Sequence, residues 1–222
     1  MTEPAQYISL PPSSFTEGSY NVRHNTENCV PSIEVIGSEN VSVITCPSGE
    51  LLLDQVTQPD LKNIVTSRDI RSFLKWSKST IPLKQAFLTM QFSNETMVTR
   101  VVVYCLVLQD LKIREPKKFR LFSSTTESFY PMTEINNVDS SVFTVTSTGS
   151  TTLQRTNNGD NDNDDDDDII YSKYEYRKYN LEIPEDRQIP LKSLRISMDF
   201  EGDNWIFISE VELYHTEILH GE

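Results

Sequence analysis

Leu194 to Tyr214 reads LRISMDFEGDNWIFISEVELY, and the way this stretch folds decides the architecture of the chain. Leu194, Ile196, Met198 and Phe200 alternate with Arg195, Ser197 and Asp199, the period-two pattern of a half-buried strand. Glu201-Gly202-Asp203-Asn204 supplies turn chemistry, because Gly tolerates positive φ and Asp and Asn bond back to their own backbone. A second strand opens with four apolar residues, Trp205 to Ile208, and alternates from Ser209 to Tyr214. The pattern predicts a hairpin with Trp205, Phe207, Val211 and Leu213 on one core face and Glu210 on the other. A strand apolar on both faces at its start suits the inner part of a β-sandwich.

Phe87 to Tyr104, FLTMQFSNETMVTRVVVY, predicts a strand ending in a core Phe, a short polar turn and a Val-rich strand. Together with the run Trp205-Ile206-Phe207-Ile208-Ser209-Glu210-Val211, it resembles the central pair and last hairpin of discoidin-type (coagulation factor 5/8 C-terminal) domains and their galactose-binding-like relatives. The resemblance implies an all-β jelly-roll sandwich over residues 46–216. An N-terminal tail with possible lead-in strands over 1–45 precedes it, and a short tail over 217–222 follows.

Other segments agree with an all-β chain. Ser32–Thr45 holds two β-like runs about Gly37-Ser38-Glu39-Asn40, either a lead-in hairpin or the first strand. Phe119–Ser123 and Glu134–Thr152 read as strands, the latter near an edge. Along Tyr171–Ile183 the apolar alternation changes parity between Tyr176 and Tyr179, which predicts a bulge. Arg155 to Asp168, RTNNGDNDNDDDDD, has like charges and nothing apolar to bury, so it predicts a disordered acidic loop between strands. An EF-hand starting at Asp160 would place Asp165 and Tyr171 where Gly and a carboxylate are needed.

The net charge of −13 argues against nucleic acid or anionic lipid as partner, since both require a basic face. Seven Asp lie between Asp160 and Asp168, so the rest of the chain carries −13 + 7 = −6. No apolar run approaches the ~20 residues of a membrane helix, and the first residues lack the basic and apolar regions of a signal peptide. The protein is then cytosolic, or an internal piece of a secreted or receptor chain. Cys105, within VVVYCLVL, reads as a buried thiol acting as a small apolar residue. Cys29 and Cys46 either bridge a loop, worth about 3 kcal/mol, or are free thiols in a reducing compartment.

An enzyme reading finds little support. His24, His215 and His220 fall in the tail and past the last strand, and there is no G-x-S-x-G, H-E-x-x-H or Gly-rich phosphate loop. In calcium-binding relatives a Glu on the last strand, with the carbonyl before it, meets Asp and Asn oxygens from an early loop. Ser209 and Glu210 match the strand position, and Asp54, Asp60 and Asn63 are the loop partners available for a structural Ca²⁺. Glu210 could equally receive only a surface Lys. Arg68, Arg71, Lys75 and Lys78 around Trp76 form the one basic-aromatic cluster that could face a ligand, or a solvated loop around a core Trp. The resemblance implies a non-catalytic recognition or adhesion module, extracellular or at the cell surface, binding a carbohydrate or protein ligand through loops at one end of the sandwich. An intracellular docking scaffold of the same fold, or a carbohydrate-binding appendage of a larger enzyme, are the rivals.

Overall fold

The computed structural model describes residues 85–126, 132–155, 168–200, 202 and 204–216, together with Gln58, Leu61 and the backbones of five short strands nearer the N-terminus. In chain order the strands are β1 (Gln6–Tyr7), β2 (Ser14–Ser19), β3 (Val30–Ile36), β4 (Glu39–Cys46), β5 (Leu74–Ser77) and β6 (Gln85–Leu108). There follow β7 (Lys118–Ser124), β8 (Thr133–Asp139), β9 (Thr144–Arg155), β10 (Asp168–Glu182), β11 (Leu191–Asp199) and β12 (Trp205–Thr216). Two single 3-10 turns, Gln109–Leu111 and Glu185–Arg187, are the helical segments among the described residues. None is long and apolar enough to cross a membrane. The all-β jelly-roll sandwich expected from the sequence is the observed architecture.

β6 is the spine that both sheets share. Its first half pairs with β2 and β11 in sheet B, ordered β3-β4-β2-β6-β11-β7-β8. Its second half pairs with β10 and β12 in sheet A, where β9 flanks β10 and both β5 and β1 flank β12. The expected turn at Ser93-Asn94-Glu95-Thr96 is therefore a corner in one continuous strand. No Gly or Pro there forces a reversal, and the register against β11 jumps from Gln91 to Thr96 as the strand changes sheet.

The expected closing hairpin is corrected in the same way. β11 lies between β6 and β7 in sheet B, whereas β12 lies beside β6 in sheet A, and the two do not pair with each other. Each finds neighbours on both edges, which a two-stranded hairpin could not provide. Gly202, at φ 62, makes the turn that carries the chain between the sheets. Glu134–Thr152, read as one strand, likewise divides into β8 in sheet B and β9 in sheet A.

The main core fills the space between the sheets, with Leu88 and Met90 of β6, Leu194 and Ile196 of β11, and Val101 and Val103 of β6 all closed to solvent. Burying each such side chain contributes about 1.5–3 kcal/mol. Cys105 belongs here as the expected buried free thiol, and burial raises its pKa far out of the reactive range. A second cluster covers the upper outer face of sheet A, built from Leu61, Leu106, Leu108, Ile113, Tyr176 and Phe207, with Trp205 against it.

These two clusters correct the face assigned to Trp205. Ile206 and Ile208 point into the main core and Trp205 and Phe207 point outward. Ile208 pairs with Cys105 but Glu210 with Tyr104, so Ser209 is an extra residue in a bulge. The bulge resets parity: Val211 and Leu213 join Ile206 and Ile208 inside, and Glu210 shares the outer face with Trp205. On β10 the change of parity expected near Tyr176 coincides with a register shift between Tyr176 and Arg177, but the residue skipped is Thr146 of β9. Its hydroxyl donates to the Tyr176 carbonyl at 3.2 Å. β10 keeps unbroken register with β6, so Tyr176 faces the outer cluster while Tyr179 and Leu181 face the core.

Two local contacts hold the β9–β10 hairpin. The end of the Tyr174 ring lies over Gly149, so a Cβ there would require the ring to move aside. The Arg177 guanidinium sits 4.1 Å from the Phe143 ring and 2.7 Å from both Glu115 and Glu175, binding the β8–β9 crossing to β10. Of the run 155–168 expected to be a disordered loop, Arg155 and Asp168 are instead paired strand residues at the ends of β9 and β10, and 156–167 lies outside the described residues, as does the Cys29–Cys46 pairing.

Candidate functional site

Below the bulge, three strands lay a three-by-three grid on the outward face of sheet A. Lys178, Tyr104 and Glu210 form one row, Asn180, Val102 and Glu212 the next, and Glu182, Arg100 and Tyr214 the third. Directly opposed residues point to the same side of a sheet, and alternate residues along each strand repeat on that side. The reset of parity at Ser209 is what brings Glu210, Glu212 and Tyr214 out on the face of Tyr104 and Arg100. Val102, at the centre, is closed to solvent by the longer side chains around it.

The polar groups of the grid converge on Glu212. Tyr104 donates its hydroxyl to Glu212 Oε1 at 3.0 Å, and Tyr214 donates to Oε2 at 2.9 Å. Arg100 lies over the Tyr214 ring with its guanidinium carbon 4.0 Å from the centroid, and its Nη1 is 3.9 Å from Glu182. Lys178 Nζ stands 5.5 Å from the Tyr104 ring. Two cations thus face three carboxylates. Burial first, then the charge and hydrogen bond of Glu212, push the Tyr104 hydroxyl well above the usual phenol range. Burial and the Glu212 hydrogen bond push Tyr214 the same way.

Glu210 is fully buried at one end of the first row. Its charge also helps to hold Tyr104 protonated. Ser209, buried in the bulge, donates to the Tyr104 carbonyl at 3.5 Å. Of the expected calcium set, Ser209 and Glu210 are adjacent at the edge of the grid, and Asp54, Asp60 and Asn63 lie outside the described residues. Among the described residues no group of three or more His, Cys, Asp or Glu side chains is placed to hold a metal. Lys75 and Trp76 belong to β5, paired with Phe207 and Ile206 at the start of β12. Eight residues separate Ile206 from Tyr214, so that end is about 26 Å from the grid's last row. Arg68, Arg71 and Lys78 lie outside the described residues.

Tyr104, Glu212, Tyr214, Arg100 and Lys178 were not singled out from the sequence. Glu212 and Tyr214 do alternate with Val211 and Leu213, which marks them as outward-facing. Nothing local says that Tyr104 and Arg100 stand opposite them.

No family model matches the chain, and no curated protein matches it. Among solved structures the chain is similar to CpGH89CBM32-6 produced by Clostridium perfringens, at 12% identity and TM-score 0.39, covering 86% of this chain and 97% of that one. It is also similar to a Ruminococcus gnavus GH29 fucosidase in complex with fucose, at 9% identity and TM-score 0.41, over 77% of this chain and 22% of that one. A third is the F5/8 type C domain of a Bacteroides fragilis protein, at 10% identity and TM-score 0.34, over 69% of this chain and 80% of that one.

Proposed function

We propose that the chain is a non-catalytic recognition module that binds a carbohydrate on the outward face of sheet A, outside the cell or at its surface. The observation that supports this is the convergence of Tyr104 and Tyr214 on Glu212 beside Arg100. A carboxylate offers about four lone-pair directions, so two tyrosine bonds leave acceptor capacity for ligand hydroxyls. Arg100, Lys178 and the exposed Asn180 supply donors around it. Sugars present such paired hydroxyls together with C–H faces that suit aromatic rings. The hydrogen bonds among the grid's own side chains fix their rotamers before a ligand arrives, which lowers the entropic cost of binding.

A structural Ca²⁺ beside this face remains part of the proposal. Glu210 is a hard oxygen donor already withdrawn from solvent, and Asp54, Asp60 and Asn63 are the partners proposed for it.

The test is a glycan-array screen followed by titration of any hit. Glu212→Gln and Tyr214→Ala are expected to weaken binding at least tenfold while the melting transition stays cooperative. Binding lost in Trp76→Ala but kept in both grid variants would move the ligand to the β5 end. Absence of any glycan hit, with capture of a protein partner, would replace the carbohydrate reading by the docking-scaffold one.

A further inference from the structure

We propose that Asn94 is an N-glycosylation site, the acceptor of an oligosaccharide from a lipid-linked pyrophosphate donor. The inference rests on the reading that the chain works outside the cell or at its surface, where proteins carry this modification. Asn-X-Ser/Thr, with X other than Pro, is the acceptor pattern, and Asn40-Val41-Ser42 and Asn94-Glu95-Thr96 are its two occurrences in the chain. A pattern this short also arises by chance, so its place in the fold has to decide.

β6 runs from Gln85 to Leu108 as the spine of the sandwich. Among its described residues Asn94 and Glu95 are the exposed pair, set between Phe92 and Val98, which are both buried. They lie at the corner where the strand leaves sheet B for sheet A, and there the register against β11 passes from Gln91 to Thr96. A branched sugar on a buried position of β6 would have to enter a core or displace a strand. At the corner it extends into water, where its bulk is solubilising. The triplet's side chains are also little committed to the rest of the fold. Thr96 Oγ1 donates to the Asn94 carbonyl at 3.2 Å, a local bond at exposed positions. Asn136 and Asn137, by contrast, give their amides to the Glu182 carbonyl and the Glu134 carboxylate. In the transfer the Asn94 amide nitrogen bonds to the anomeric carbon of the sugar and loses a proton to solvent. The anomeric carbon–oxygen bond breaks, and the lipid pyrophosphate leaves with its electron pair.

Expression of the full chain behind a cleavable leader in a eukaryotic secretory host tests the site. Peptide mapping of cell-associated and secreted protein is expected to find Asn94 carrying a glycan. Peptide N-glycosidase in ¹⁸O water should remove it and leave a labelled Asp at that position. Asn94→Gln and Thr96→Ala should lose the glycan and Thr96→Ser should keep it, all with an unchanged melt, as expected of surface substitutions. Asn94 unmodified in the leader-directed chain, or a glycan there that survives Thr96→Ala, would overturn the site. The location fails separately: a glycan on the leader-directed chain that is missing from protein taken from its own cells would overturn the extracellular reading, and with it the natural occupancy of Asn94.

Discussion

The hydroxyl of Tyr104 and the carboxylate of Glu212 meet at 3.0 Å across 108 residues of sequence, held there by the register of β6 against β12. Because burial and Glu212 raise the pKa of Tyr104 above its ordinary 10.0, the phenol stays protonated in the folded chain at a pH where it would ionise in the unfolded one. The linkage sign follows: this contribution to stability is whole below about pH 10 and is lost as the pH rises toward the folded value. Tyr179, raised mainly by burial in the core, acts in the same direction. In an alkaline ultraviolet titration a late fraction of the nine tyrosines should ionise only together with unfolding. Glu212→Gln should bring part of that fraction to lower pH. All nine titrating near pH 10 with the fold intact would be incompatible with the grid as described.

Ile208 and Trp205 offer a direct test of the bulge. Ile208 is closed to solvent between the sheets, whereas Trp205 is half-buried on the outer face. Ile208→Ala should cost about 3–4 kcal/mol, the usual range for a large-to-small change in a core. Trp205→Ala, with water already on one side of the ring, should cost about 2 kcal/mol. Urea denaturation of both variants measures the order. Were Trp205→Ala the costlier, the tryptophan would belong between the sheets and the parity reset at Ser209 would be wrong.

That parity marks the boundary of what the sequence makes legible. Alternation is a local property, so β7, β10, β11 and β12 could be read from their own residues. Sheet membership is a long-range property: Leu194–Tyr214 looks the same as a hairpin or as two strands parted between sheets, because both bury alternate side chains. The run Trp205–Ile208 is apolar at every position and so conceals which side is the core. Ser209 carries no mark of the bulge, since a serine is equally at home in a regular strand. Glu210 could be picked out through the family resemblance. Its neighbours in the grid could not, because Tyr104 and Arg100 become site residues only when Val102 is placed against Glu212.

Calcium is tested through Glu210. If the ion binds beside Ser209 and Glu210, adding calcium to chelated protein raises Tm, with about 2.7 kcal/mol of stabilisation at a free concentration a hundred times Kd. Glu210→Gln retains the shape of the side chain but removes the charge, so its melt should be the same with calcium as with chelator. Identical wild-type melts in the two conditions would dismiss the metal. A calcium shift that survives in Glu210→Gln would place the ion elsewhere.

Arg155 and Asp168 stand directly opposite each other at the open end of the β9–β10 pair, so the twelve residues from 156 to 167 connect two positions already in register. A two-residue Asn-Gly turn spans such a pair with the twist that antiparallel strands require. Replacing 156–167 with Asn-Gly shortens the loop sixfold and should lower the entropic cost of closure by about 1.5 kcal/mol. It also removes six Asp and takes the net charge from −13 to −13 + 6 = −7, which relieves self-repulsion. Tm is therefore expected to stay level or rise by a few degrees, with the larger rise at low salt where repulsion is least screened. Differential scanning calorimetry at two salt concentrations separates the contributions, since only the charge effect depends on salt. A loss of several kcal/mol in the shortened chain would mean that the acidic run contributes contacts of its own to the fold.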